Sequence, residues 1–490
     1  MIEIAVAMGA NRNSADEELH KSLNLEIEIS KITTPPEEMR DMSKMYNAMS
    51  ISEVETKYPF IPWGEYMQKI MGKDVPLGPD ETVIVTSPEY FTALESIFNS
   101  VDRRTLVNYI MWKQMGRMVE YLPKEFRNIQ LNFMRKITGS TVMKPRWDTC
   151  VSWTRSMLPI AIGSMYVRKH FNADSKSKSD AMVVLLREEM YKIINNADWM
   201  DNTTRSTALD KAKAMTSLIG YPLELWNDSK LEEFYSDLKV NDSSVLDAVI
   251  HVNNFTWNFK LKEFRKPVDK KDWKLYANVA MANAFYNSLV NSIYFPAGFL
   301  QDPVFYADRP NYMNFGAIGS IIGHEITHGF DDVGKQFDKD GKMVNWWDPL
   351  TEEKYLEKSK CILEQYSKYY VEQAKRNVNA ILTLGENIAD NGGIKEAYNA
   401  YQSWVRNNSE EPRLPGLEQY SPNQMFWISF GSTWCSMHRN ESMSMIVQRD
   451  THAPTEFRII GSVSNSKDFA KDFQCPVGSR MNPEAKCEVW

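Results

Sequence analysis

Along much of the first half of the chain, apolar residues recur at helical spacing. Leu23–Ile32 shows the repeat until Pro35-Pro36 stops it, and Thr105–Tyr121 and Ala181–Ile194 repeat it between charged flanks. These segments predict amphipathic helices. The short β-branched run Thr82–Thr86 predicts an isolated strand. Two stretches lack the pattern. Phe171–Asp180 reads as a polar loop, and Gly220-Tyr221-Pro222 through Ser243-Ser244 is rich in turn formers and reads as a linker or exposed loop. Most of the unusual sequence follows Asp247, and there is no internal repeat.

Length and composition narrow the class. A chain of 490 residues with 43% hydrophobic and 25% charged positions is globular and large enough for two lobes. No apolar stretch approaches the ~20 residues of a membrane span, and Met1-Ile2-Glu3-Ile4 lacks the basic start of a signal peptide. A net charge of −7 argues against nucleic acid as a partner. The 27 methionines read as core filler, and Asp338-Lys339-Asp340-Gly341 reads as a surface turn, because its spacing does not fit a calcium loop. Five cysteines leave at least one unpaired in an oxidising setting. Six glycosylation triplets, at Asn202, Asn227, Asn241, Asn254, Asn407 and Asn440, suggest an extracellular one.

The strongest chemical signal is His324-Glu325-Ile326-Thr327-His328. On a helix, residues four apart share a face, so both imidazoles can address one ion while Glu325 reaches a water beside it. Seven histidines in the chain make such a pair, with Glu after the first, a roughly 0.01 chance event. The plainer alternative is two core or solvated histidines. A site of this kind needs a third protein ligand. Glu386 and Asp390 are again four apart, so one carboxylate can bind metal while the other accepts the second N–H of a ligand histidine. Taken alone they read as an acidic helix start, but the upstream motif tips the balance to zinc. Asp450, His452 and Arg458 cluster near the C-terminus, where spacing alone favours a surface loop with an ion pair.

Together these blocks resemble the neprilysin / endothelin-converting-enzyme family of zinc metallopeptidases, most like its neprilysin branch. The resemblance rests on Val290–Phe305 with Asn283-Ala284-Phe285 before it, Gly323–Asp332, Thr383–Gly393, Thr451–Gly461 and the tail Cys487–Trp490. It runs more weakly through the first half, including Lys211–Pro222. It implies a mainly helical, two-lobed, thermolysin-like gluzincin fold around a central cavity. The catalytic lobe is expected at residues 1–25 and 247–490, the second lobe at 38–205, and linkers at 26–37 and 206–246. One Zn²⁺ is implied on His324, His328 and Glu386, with Glu325 as general base. Asp390 supports a ligand histidine, and His452, oriented by Asp450, stabilises an oxyanion. Asn283 and Ala284 are implied as a backbone clamp on peptide substrates and Arg458 as a grip on a substrate carbonyl. Phe299, Val304, Ile321 and Trp434 are implied as an apolar specificity pocket. The activity implied is endopeptidase cleavage of oligopeptides on the amino side of hydrophobic residues, by an anchored or secreted ectoenzyme. Measured against the family, the chain is expected to be N-terminally truncated, with Cys361 paired to Cys487 and Cys150, Cys435 and Cys475 left without mates. The competing expectation is a catalytically silent binding or regulatory member of the same fold.

Overall fold

The computed structural model describes residues 1–171, 173–240 and 244–490. The chain forms two compact, mainly helical units. One comprises Met1–Pro145 with Asp237–Val268, the other Arg146–Ser236 with Asp269–Trp490.

In the first unit, helix α1 (Arg12–Ile32) starts at Asn11, whose side chain accepts the N–H groups of Asn13 and Ser14. It packs along α2 (Arg103–Met118), burying Ser22 and Leu25, while Glu18 takes Arg104 and Glu26 takes Lys113. Both helices cover segments with the predicted periodicity. The predicted strand is present as β2 (Thr82–Val85), but it is paired, antiparallel to β1 (Asn47–Ser50). Val54, Tyr58, Trp63 and Val85 form a small core there.

The second unit corrects several expectations. Phe171–Asp180 is not a loop: helix α3 (Ala173–Asn196) begins inside it. The buried stripe Met182, Val183, Leu186, Met190 and Ile194 anchors this helix. Once anchored, it extends through polar turns in which Ser179 Oγ donates to Ser175 O and Lys176 pairs with Asp180. The expected 206–246 linker is also largely ordered structure. It holds the end of α4 (Asn202–Ala214), strand β3 (Thr216–Gly220), a 3₁₀ turn at Leu223–Trp226 and a helix at Asp228–Tyr235. Ile219 and Leu225 from this stretch are buried, which explains why it does not behave as a linker. The part of that stretch at residues 241–243, including the Asn241 triplet, lies outside the described residues.

Residues 26–32, expected in a linker, belong to α1. The compact units also divide elsewhere than the expected lobes. Residues 1–25 and 247–268 fall in the first unit and 146–205 in the second. Chain segments are grouped by what they pack on, and α3 packs on the helices that carry the candidate metal residues.

Strand β3 pairs in parallel with β5 (Ser292–Pro296), whose other side takes β4 (Phe285–Asn287) antiparallel, so β4 is an edge. A helix from Asn311 passes through one π turn at Phe315–Gly319 into α5 (Ser320–His328). Around it lie α6 (Pro349–Tyr366), α7 (Leu384–Asn408), α8 (Pro422–Thr433) and α9 (Thr455–Asn465). Asp338 accepts the N–H groups of Asp340 and Lys342, and Gly341 has φ +76°, so the expected turn is present.

Cys361 on α6 is bonded to Cys487, while Cys150, Cys435 and Cys475 are free. The five described glycosylation triplets have exposed asparagines. No described helix is long and apolar enough to cross a membrane.

Candidate metal centre

Helix α5 is apolar on its buried side. Ile322 and Ile326 enter the main core, each contributing about 1.5–3 kcal/mol through burial. Its other face meets α7 at unusually close range, made by glycines. A Cβ on Gly393 would stand 2.3 Å from the His324 backbone nitrogen, and one on Gly323 would stand 2.6 Å from Gly393 O. Only glycine permits this crossing, so the Asn391-Gly392-Gly393 sequence brings Glu386 and Asp390 up to the two histidines.

His324, His328 and Glu386 place their donor atoms within 4.8 Å of one another. His324 Nδ1–H donates to Asp390 Oδ1 at 2.8 Å, and His328 Nδ1–H donates to Asp331 Oδ2 at 2.8 Å. Each Nε2 therefore turns its lone pair inward, and the two nitrogens face each other at 2.9 Å. Glu386 Oε2 is buried and has no hydrogen-bond partner among the described residues. It nevertheless lies 3.1 Å from His324 Nε2, 3.4 Å from His328 Nε2 and 3.2 Å from His452 Nε2. Two inward lone pairs and an orphaned buried carboxylate oxygen constitute a donor set that a zinc ion fits.

Glu325 is buried beside this cluster, and its carboxyl makes no hydrogen bond among the described residues. Burial raises its pKa, against the partial opposition of the two imidazoles. Burial alone would also raise Asp390, but Arg458 and His324 outweigh it and hold the carboxyl down at about 2. Arg458 Nε and Nη2 donate to Asp390 at 2.8 and 2.6 Å, and its guanidinium stacks 3.9 Å from the Trp434 ring centroid. His452 is turned by Asp450, whose Oδ1 accepts both its backbone N–H and its Nδ1–H.

The remaining residues singled out from sequence divide in two. Ile321, Phe299, Val304 and Trp434 all join the main apolar cluster. Asn283 is exposed and Ala284 buried, immediately before edge strand β4, which packs against α5.

Two residues were missed. Asp331 orients His328 and also accepts the N–H groups of Val333 and Gly334. It stands in the quoted Gly323–Asp332 block, so a search for a carboxylate partner to each histidine would have found it. Lys211 on α4 is fully buried and donates to Gly334 O and Phe337 O at 2.7 and 2.6 Å, fixing the loop that carries Asp331. A lone lysine in an amphipathic helix gives no such signal.

Comparison with known proteins agrees with this geometry. The profiles of peptidase family M13 match residues 1–222 and 283–489. Neprilysin-2 of Drosophila melanogaster is 43% identical over all of this chain, which spans 65% of that protein's length. An endothelin-converting enzyme homolog of Locusta migratoria is 36% identical, again over the whole chain and over 68% of its own length. The structure of the Mycobacterium tuberculosis zinc metalloprotease ZMP1 superposes with a TM-score of 0.89 at 27% identity, covering 98% of this chain and 72% of that one. The chain belongs to peptidase family M13.

Proposed function

We propose that this chain is a zinc-dependent endopeptidase that cleaves oligopeptides on the amino side of a large hydrophobic residue. The observation that carries the reading is the convergence of His324 Nε2, His328 Nε2 and Glu386 beside a buried, unpartnered Glu325. Zinc, when bound by these three residues, would supply Lewis acidity and make a water acidic enough to ionise near neutral pH.

The chain's own groups do the rest. Glu325 takes a proton from the attacking water and returns it to the leaving amine, a role suited to a buried carboxyl beside the donor set. His452, aimed at the same locus by Asp450, would act as an imidazolium, keeping Nδ1–H on Asp450 while Nε2–H donates to the negative oxygen that develops on the scissile carbonyl. Such a donor is commonly worth ~3–4 kcal/mol of barrier. Asp390 holds His324 in the tautomer that presents Nε2.

Peptide backbone would add to the free edge of β4, with Asn283 and Ala284 as the clamp. Arg458 has two nitrogens committed to Asp390, leaving Nη1 for a substrate carbonyl. Phe299, Val304, Ile321 and Trp434 would receive the hydrophobic side chain. The exposed glycosylation triplets and the disulfide suit an extracellular enzyme.

The test is to measure bound zinc and the cleavage of a quenched oligopeptide with a central Phe or Leu, beside Glu325→Gln. One zinc per chain and cleavage lost in the variant are expected. A folded, zinc-loaded chain that cleaves nothing would instead make it a silent member of the family.

A further inference from the structure

Glu396, on α7 behind the metal centre, is completely buried. Its Oε1 lies 2.8 Å from Thr327 Oγ1, and the same Thr327 oxygen lies 2.8 Å from Gly323 O. The Thr327 hydroxyl has one proton to share between these two neighbours. Gly323 O is a carbonyl and can only accept. The hydroxyl of a helical threonine commonly donates to the carbonyl four residues back, and with its proton given to Gly323 O the second contact is a hydrogen bond only if Glu396 donates it. Glu396 Oε2 has no partner among the described residues. On a neutral acid, a buried oxygen without a partner is tolerable; on a carboxylate it would leave charge uncompensated in the core.

We propose that Glu396 is kept as a neutral carboxylic acid and acts as a positioning residue, its O–H running through Thr327 to hold the His324/His328 helix against the helix that bears Glu386. The inference concerns the scaffold of the metal centre and stands whether or not the chain cleaves peptides.

The charged groups around Glu396 pull in opposite directions, Lys395 towards the carboxylate and Glu189 towards the neutral acid, so burial decides. On α3, Glu189 adds negative charge, and it is itself taken by Lys192 and the Ser403 hydroxyl. On α7, the neighbouring Lys395 is drawn away to Glu488 and the Trp490 carbonyl. On α5, His324, Glu325 and His328 face the metal centre. Burial, the dominant cause, outweighs the Thr327 contact and Lys395 and, with Glu189 adding to it, pushes the Glu396 carboxyl well above its ordinary range.

A group that is neutral in the fold but ionised in the unfolded chain makes the fold lose stability as pH rises above its unfolded value of 4.5, until the raised folded value is reached. Glutamine mimics the acid, since its amide N–H can replace the O–H, and it does not titrate. With the zinc-loaded chain, the thermal midpoint of Glu396→Gln relative to wild type should therefore climb as pH rises above about 4.5. An infrared difference spectrum at neutral pH should show a protonated-carboxyl stretching band lost in Glu396→Gln. Glu396→Leu removes the donor, and its zinc affinity should fall about tenfold, while Glu396→Gln stays within about twofold. A pH-independent offset in Glu396→Gln, or no lost carboxyl band, would overturn the proposal even if the leucine variant fails to fold.

Discussion

Replacing Gly393 by alanine adds one methyl group at the α5–α7 crossing. That methyl would meet the His324 backbone nitrogen at 2.3 Å, Ser320 O at 2.6 Å and His324 Cα at 2.8 Å. All three are main-chain atoms of one helix, so no side chain can rotate away. Ordinary contact begins at 3.4 Å, so the helices must separate locally by about 1 Å. Overpacking of this kind costs about 1–3 kcal/mol of stability. The larger effect falls on the metal centre, because His324 and His328 ride on one helix and Glu386 and Asp390 on the other. A displacement of about 1 Å between the two sets should weaken zinc binding about 10- to 100-fold and lower turnover about 100-fold.

Zinc competition against a chromophoric chelator, thermal unfolding and peptide cleavage would measure the three effects. Gly431→Ala is the control, since its Cβ would meet nothing within 4 Å, and it should retain zinc and gain up to about 1 kcal/mol. A Gly393→Ala protein with wild-type stability and zinc affinity would refute the claim that the glycine sets the helix spacing.

Three further outcomes are expected. Asp331→Ala frees the His328 ring and should weaken zinc binding about 10- to 100-fold by chelator competition, with little change in helix content. Burial holds Lys211 at about 7, against the pull of Asp331 and Asp338, whereas the unfolded lysine keeps its proton to 10.5. Wild type should therefore gain stability over Lys211→Met as pH rises from about 7, by up to about 1.4 kcal/mol per unit, and parallel denaturant curves at pH 7, 8 and 9 would contradict this. Reducing the Cys361–Cys487 bond, which closes 126 residues of sequence separation, should cost about 3–5 kcal/mol by denaturant titration with and without reductant.

What could be read from the sequence was what helical spacing carries. His324 and His328, and likewise Glu386 and Asp390, lie four residues apart on single helices, so their shared faces follow from local geometry. Asp331 escaped because it lies beyond the end of α5, where a turn brings it back under His328. Lys211 escaped because its role depends on two carbonyls more than 120 residues away. The supposed linker failed for a related reason. Thr216–Gly220 leads into the turn-former stretch, and it becomes a strand because Ser292–Pro296, far along the chain, lies ready to pair with it. The polar start of α3 was misread because its helicity is imposed by the buried residues that follow. Arg458, expected to be free for substrate, is also a structural counter-ion to Asp390, a pairing across 68 residues that no local pattern reveals.

The division of the chain has a consequence for how this protein can be dissected. The polypeptide passes between the two compact units three times, after Pro145, after Ser236 and after Val268. The unit that holds the candidate metal residues is thus built from two separate stretches of the coding sequence, with a piece of the other unit spliced between them. No single deletion from either end isolates it, and cutting one connection leaves two others intact. Isolating that unit calls for a new join between residues 236 and 269 together with a fresh start at Arg146, and a single protease nick at any one crossing should leave both fragments associated under native conditions.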